Sequence, residues 1–317
     1  MIWLTWRQHR REALFTLLAL AALAAFTVPT GLSMHRAFDR DVAACLHGLG
    51  TGVLVPANES CRQQAGVFAD RYSAYRIVAT LLLFAPAVIG LFWGAPLVAR
   101  ELEQQTHRLA WTQGVGRTRW ALTKFGLVLG FAGLAAGACT ALLSWWLGPL
   151  ATALGDRFEF PVFDLAGPAA VAYTLFAVAL GFAAGAYRRK VLPTMGVLLV
   201  VFLGVRIAVT VFARPDYRPA REVSVAASAP EHYNQLSGGW LLDAAVRTAD
   251  GRVIHPNAEQ RCDKDRPDEE CDAGAQNWVR YQPADRFWSF QYIESALYLT
   301  GAAALVLLAL ARLRRLS

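Results

Sequence analysis

Long stretches without a single charge alternate with short charge-rich ones along these 317 residues. Residues 13–34, 77–99, 125–154, 165–187 and 295–311 contain no Asp, Glu, Lys or Arg, and residues 191–213 contain only Arg206. A membrane-spanning helix needs roughly 20 apolar residues, because each adds about 1.5 Å to cross a hydrocarbon layer about 30 Å thick. Five runs reach that length outright. The sixth is extended at its start by Phe287, Trp288, Phe290 and Tyr292, rings of the kind that settle at membrane interfaces. The pattern predicts an all-α membrane protein of six transmembrane helices, over about 13–34, 77–99, 125–148, 165–187, 191–213 and 289–311. Between them lie a first loop at 35–76, a polar segment at 100–124 and a long region at 214–286.

Charge orients this layout. The chain carries 31 Lys and Arg against 24 Asp and Glu, a net +7. Residues 1–12, 100–124, 188–190 and 312–315 together hold 14 of the basic residues and three acids, Glu12, Glu101 and Glu103. By the positive-inside rule these segments, and both termini with them, face the cytoplasm, while 35–76 and 214–286 are extracellular. The basic balance is then a topology signal and calls for no nucleic acid. With three Lys against 28 Arg and abundant Ala, a GC-rich bacterial source fits, and with it the plasma membrane. The first run is longer than a secretory signal core and has no clear cleavage site before His35, so it is expected to stay as the first helix.

The cysteines agree with that orientation. Cys45 and Cys61 fall in one extracellular segment and Cys262 and Cys271 in the other, while Cys139 lies within the third helix. Disulfides persist in oxidising compartments, so two loop-local pairs are expected, Cys45–Cys61 and Cys262–Cys271, the second stapling a small lobe between helices five and six. Neither pair has the spacing of a zinc site. The acidic run around Cys262 and Cys271 does not match a calcium loop and reads as a solvated hairpin. No cofactor or metal is expected.

Catalytic motifs are absent. Leu236–Gly239 spells LSGG, but on the extracellular side, and the chain has no GxxxxGK[ST] phosphate loop, so it does not hydrolyse ATP itself. No carboxylate lies within the apolar runs as drawn, which weighs against a proton relay. Arg206 sits roughly 22 Å from the start of its run at 1.5 Å per residue, and Glu294 roughly 27 Å from Arg312, a similar depth; either Arg206 snorkels to the interface or the two form an ion pair. Gly126, Gly130, Gly133 and Gly137 recur at intervals that suit close helix packing on the third helix.

Residues 98–124 carry the most information. As one helix they would place Leu102, Thr106, Leu109 and Gln113 on one face and Glu101, Gln105, Arg108 and Thr112 on another, an amphipathic strip at a membrane surface. Arg100-Glu101, Thr106, Leu109, Thr112, Arg117 and Lys124 resemble the segment after the second helix of ABC-2-type (type-2) ABC exporter permeases, and WLTWRQHRRE and FWSFQYIE are similar to actinobacterial members. Gln105 and Gln113 stand where that family usually has Gly and Pro, and the 214–286 region exceeds its usual hairpin. The resemblance implies a coupling helix that docks on an ATPase subunit, with Arg100, Glu101, Thr106, Arg108, Leu109, Trp111, Thr112, Gln113 and Arg117 as partner-binding residues. It implies two copies of a separately encoded ABC ATPase and a second permease chain, identical or related, in the lipid bilayer. The expected function is export of an amphipathic or hydrophobic substrate such as a drug, lipid or peptide. The alternative is a membrane-anchored sensor or assembly protein whose extracellular lobe binds a ligand or partner.

Overall fold

The computed structural model describes residues 2–49, 53–105, 116–155, 157–226, 238–248, 250–256 and 275–315. It is mostly helical, and among the described residues six helical segments are long and apolar enough to span a membrane: Arg10–Asp41, Ser73–Glu103, Arg119–Leu154, Gly167–Arg188, Val191–Asp216 and Ala284–Arg314. Cys262 and Cys271 lie outside the described residues, as do Thr106, Arg108, Leu109, Trp111, Thr112 and Gln113 of the coupling segment. Of Arg117 only the backbone is described.

The first span belongs to α1 (Ile2–Asp41), which runs well past the apolar stretch. Residues 35–76 are accordingly more structured than a loop. A hairpin follows, β1 (Leu46–Leu49) and β2 (Val53–Pro56), and then α2 (Glu59–Arg71). Asn58 caps α2 by accepting the Cys61 backbone N–H at 2.9 Å, one of the four donors a helix start leaves free. Cys45 and Cys61 form a disulfide. Phe38 from α1 and Val42 just after it pack here with Ala65 and Phe68 from α2, and with Leu147 and Leu150 from the far end of the third span.

The second span is broken into α3 (Ser73–Leu82), α4 (Ala85–Ile89), a wide turn at Gly90–Gly94 and α5 (Pro96–Glu103). Pro96 has no N–H to give, and the wide turn closes with the Ala95 N–H on the Gly90 carbonyl at 2.9 Å, a local unwinding of the kind prolines induce. The third span is α6 (Arg117–Leu154), followed by short α7 (Val162–Leu165) and by α8 (Gly167–Arg188). Helix α8 is buried along nearly its whole length, Ala169 to Ala186. It is the post around which the second, third, fifth and sixth spans pack, while α1 packs on α6. Helix α9 (Val191–Ala208) widens into a second such turn at Val209–Ala213, and α10 (Phe287–Arg314) closes the bundle.

Between α9 and α10 the chain is not all-α. A four-stranded antiparallel sheet forms from β3 (Arg221–Ala226), β4 (Trp240–Arg247), β5 (Val253–Pro256) and β6 (Gln276–Gln282), in the order β3-β6-β4-β5. Val279 pairs with Val223 on one side and Ala244 on the other. Strand β6 is central and mostly buried; its run NWVRYQ mixes aromatic and branched residues with polar ones, as a strand packed on two faces of different character does. The sheet meets the bundle through Phe158, Phe163, Phe287 and Phe290, with Trp240 and Tyr217 against them.

The glycines of α6 are not where helices meet. Among the described residues a Cβ on Gly126, Gly130 or Gly137 would touch nothing within 4 Å, and one on Gly133 only the tip of Leu175 at 3.4 Å. Close approach occurs instead between the second span and α8. A Cβ on Gly94 would lie 2.7 Å from the Val178 carbonyl oxygen, and one on Gly181 would lie 2.5 Å from the Ala95 nitrogen. Backbone touches backbone there, and only Gly permits it. Gly181→Ala is expected to lower stability by about 1–3 kcal/mol, as overpacking does, while Gly130→Ala stays within about 0.5 kcal/mol of the parent; thermal unfolding in detergent compares them.

Cys45 and Cys61 close a short loop at a sequence separation of 16, and a loop near that size is held by about 3 kcal/mol in the chain-entropy picture. Non-reducing peptide mapping is expected to recover the Cys45 and Cys61 peptides linked and Cys139 unlinked. Finding Cys45 and Cys61 as free thiols would overturn the assignment.

Candidate functional site

Two regions combine charge with burial. The first is where the second span leaves the bundle. Leu102 is buried, Glu101 partly so, and Glu101 forms an ion pair with Lys124, which is only 4% exposed and lies 5.3 Å from the centre of the Trp120 ring. One turn of α6 separates Trp120 from Lys124, so the ring and the ammonium share a face. Glu103 turns the other way: its Oε2 accepts the backbone N–H of Val191 at 2.9 Å and so caps α9, a favourable place for a carboxylate at a helix N-terminus. The exit of the second span is thus pinned to α6 by Glu101 and to α9 by Glu103, while Arg100 is exposed.

Residues 98–124 do not form one amphipathic helix. Helix α5 stops at Glu103, and Gln104 and Gln105 turn the chain, with Gln105 at φ 57°. Glu101 and Gln105 therefore do not share a continuous helical face. Gly is the residue for which that left-handed conformation is cheapest, and Gln105 adopts it with a side chain.

The second region is an ionic cluster at the other end of the bundle. Arg206 does meet Glu294, with Nη1 3.4 Å from Oε1, but neither is alone. Arg214 grips Glu294 with two donors, Nε to Oε2 at 2.9 Å and Nη2 to Oε1 at 2.8 Å, the fork geometry in which guanidinium and carboxylate bind most strongly. Arg214 Nη2 also reaches Asp164 Oδ1 at 2.5 Å, and Arg206 Nη2 reaches the same oxygen at 2.9 Å. Tyr173 and Tyr217 donate their hydroxyls to Glu294 at 2.6 and 3.2 Å. The Arg206 guanidinium lies over Tyr173, 3.7 Å from the ring centre, and that of Arg214 over Phe163 at 4.2 Å. Glu294 is 0% and Asp164 3% exposed.

Sequence reasoning had Arg206 as the one charge inside a helix, with no carboxylate within the apolar runs. The structure buries Asp164, Arg214 and Glu294 as well. All three stand within a residue or so of a run's end, and that adjacency was the available signal. The wide turn at Val209–Ala213 explains how Arg206 and Arg214 converge. Two α-helical turns take about 7.2 residues, and one extra residue makes about 8.2, so positions eight apart fall on one face. Gln291 locks the arrangement to α8, accepting the Ala169 N–H at 3.1 Å and donating to the Phe163 carbonyl at 2.8 Å.

Two guanidiniums and two carboxylates sum to zero, which is what lets a cluster of this size sit inside a bundle. Burial by itself would push the Asp164 carboxyl up, but Arg214 and Arg206 outweigh it, and the group lies below the usual carboxylate range. Its contribution to stability is present above the unfolded carboxylate range and is lost only as pH falls through that lowered value. Both carboxylates already bind arginine. Among the described residues no three His, Cys, Asp or Glu side chains gather as a metal site. The cluster is built to hold α7, α8, α9 and α10 together.

Glu294→Gln leaves a net buried positive charge and is expected to cost about 3–5 kcal/mol. Combining it with Arg214→Met restores neutrality with Asp164 and Arg206 still paired, and part of the loss should return. Thermal unfolding of the parent, the singles and the double closes the cycle.

The comparisons with known proteins bear on what this bundle belongs to. None of the curated proteins and none of the solved structures matches the chain. The model of one family, described as ABC-2 membrane transporter related, matches residues 17–214, which take in most of the first and fifth spans, the three spans between them, the whole 98–124 segment and Asp164, Arg206 and Arg214. That is more than half of the chain, and it agrees with the six apolar helices. The chain belongs to the ABC-2 membrane transporter related family, as a multi-pass permease of ABC-2 type.

Proposed function

We propose that this permease is the membrane half of an ATP-driven exporter in a bacterial plasma membrane. It works with a second permease chain, identical or related, and with two copies of a separately encoded ABC ATPase. Both termini and residues 98–124 face the cytoplasm. The basic residues gathered at that end support this orientation, and so does the Cys45–Cys61 disulfide at the other, since disulfides persist outside the cytosol. The substrate is amphipathic or hydrophobic and leaves the cell.

The observation that carries the reading is the double anchorage at the end of the second span. Glu101 ties that exit to Lys124 of α6, and Glu103 ties it to the first residue of α9. A force applied to residues 104–116 would reach the second, third and fifth spans together. The segment does no chemistry and serves as a lever: ATP-driven closure of the ATPase subunits pulls on it and rocks the spans between inward and outward openings. Leu109 and Trp111 fill a groove on the ATPase, and Arg108 and Arg117 contact its acidic rim.

Leu109→Ala with Trp111→Ala is expected to abolish co-purification of the ATPase while the permease stays in the membrane. Glu103→Gln should leave the ATPase bound and lower its stimulation by the permease, because docking survives and the link to α9 is weakened. If the double variant still captures its ATPase and still stimulates hydrolysis, residues 98–124 are not the coupling element, and a sensor or assembly role gains.

A further inference from the structure

A groove opens on the flank of the bundle between α1, the second span and α6, with a volume of about 730 Å³. That lies within the range of pockets that hold drug-sized ligands. Its walls are almost wholly apolar, with Phe15, Leu20, Phe92 and Trp93 among them. One carboxylate enters this lining, Glu12. Its Oε2 is buried and has no hydrogen-bond partner among the described residues. The neighbouring Arg10 and Arg11 are exposed, and no ion pair joins either to Glu12 among the described residues. The Glu12 backbone carbonyl accepts the Thr16 hydroxyl at 3.0 Å, a contact that leaves the carboxylate untouched.

A buried carboxylate oxygen left unpaired beside an apolar cavity is costly, and structures rarely tolerate it without a reason. The contrast within this molecule is sharp: Asp164 and Glu294 are each bound by two arginines, whereas Glu12 is half-buried with an inward oxygen that no described residue meets. From Glu12 to Leu23 the groove follows α1 for about 16 Å at 1.5 Å per residue, about half of a 30 Å hydrocarbon layer. Glu12 stands in the first turn of the first candidate span, at the end of the bundle where the termini lie. A molecule held here has its charge at headgroup level and its body along one leaflet.

We infer that this groove binds a lipophilic monocation, with the positive charge against Glu12 and the apolar body between α1, the second span and α6. One carboxylate in the lining selects one positive charge, and the exposed aromatic rings of Phe15 and Phe92 in the same lining favour a cation over an anion as well. An acyl chain would fill the same volume but leave Oε2 unpaired. That such a cation is transported cargo rests on the exporter reading; that it binds does not, and the binding test needs no ATPase.

The probe pair is tetraphenylphosphonium and tetraphenylborate, ions of matched shape and opposite charge. The full chain in phosphatidylcholine nanodiscs is dialysed against each, with empty nanodiscs subtracted. Cys139 lines the groove, so its alkylation by N-ethylmaleimide, read by mass spectrometry, gives a second readout. Saturable binding of the cation at least tenfold tighter than the anion is expected, with protection of Cys139 by the cation alone. Glu12→Gln should weaken cation binding about tenfold and erase the preference, and Glu12→Asp should keep it. Ala19→Phe, on an exposed face of α1 that borders the groove, should weaken cation binding without touching the carboxylate. Equal binding and equal protection by both ions, or parental cation affinity in folded Glu12→Gln, would overturn the proposal and leave an apolar lipid groove. Failure of that kind leaves the ATPase docking result untouched, and loss of docking leaves this binding untouched.

Discussion

Charge neutrality inside an apolar bundle is the constraint on which the arrangement of α7 to α10 rests. An isolated charge there is expensive, and a half-filled network is worse than none. Arg206, Arg214, Asp164 and Glu294 satisfy one another only if α7, α9 and α10 approach α8 at a fixed depth and rotation. That requirement gives functions to features that look unrelated. The wide turn at Val209–Ala213 brings two arginines onto one face, and Gln291 fixes the start of α8. Tyr173 and Tyr217 supply the donors that Glu294 still lacks. Phe163 of α7 and Phe287 and Phe290 of α10 also meet Trp240 of the sheet, so the lobe inherits its position from the cluster.

Helix α8 is the complement of this arrangement. Polar pairing secures its first turns, and the rest of it is secured by the absence of side chains. Gly181 and Gly185 admit the backbone of residues 94–99, and Gly90 and Gly94 return the favour. The second span therefore rests against α8 with little room to slide before its exit, where Glu101 and Glu103 take over the contact. Charge at both ends and close packing in the middle leave the groove beside α1 as the looser flank of the molecule.

How much of this the sequence disclosed follows from what each signal measures. Apolar run length reports the cost of burying backbone and charge in lipid, so the six spans were legible, and the pairing of Arg206 with Glu294 followed from depth alone. Asp164 and Arg214 were not legible, because each stands at the edge of an apolar run, where a charge reads as solvated. The wide turns were hidden for a related reason: hydropathy does not register whether a turn closes on the fourth or the fifth residue. Glycine spacing pointed to α6, since three- and four-residue repeats say which residues share a face and nothing about whether a neighbour is there. The sheet was missed because the prolines and charges of 214–286 outweighed short strands such as NWVRYQ. Glu12 was counted among the acids of the basic end, and only a cavity beside it gives it a second meaning.

The length of α6 has a mechanical consequence. From Arg117 to Leu150 it spans about 50 Å at 1.5 Å per residue, and Pro149, its only internal proline, lies at the far end. Lys124 sits near its foot, and Leu143, Leu147 and Leu150 bear on α1 and α2 near its top. Over that distance the helix acts as a stiff beam with no joint between its two loads. A tilt of about 10° at the foot carries Leu150 sideways by about 9 Å, given that length. Small angular changes on one side of the membrane thus become displacements of molecular size on the other.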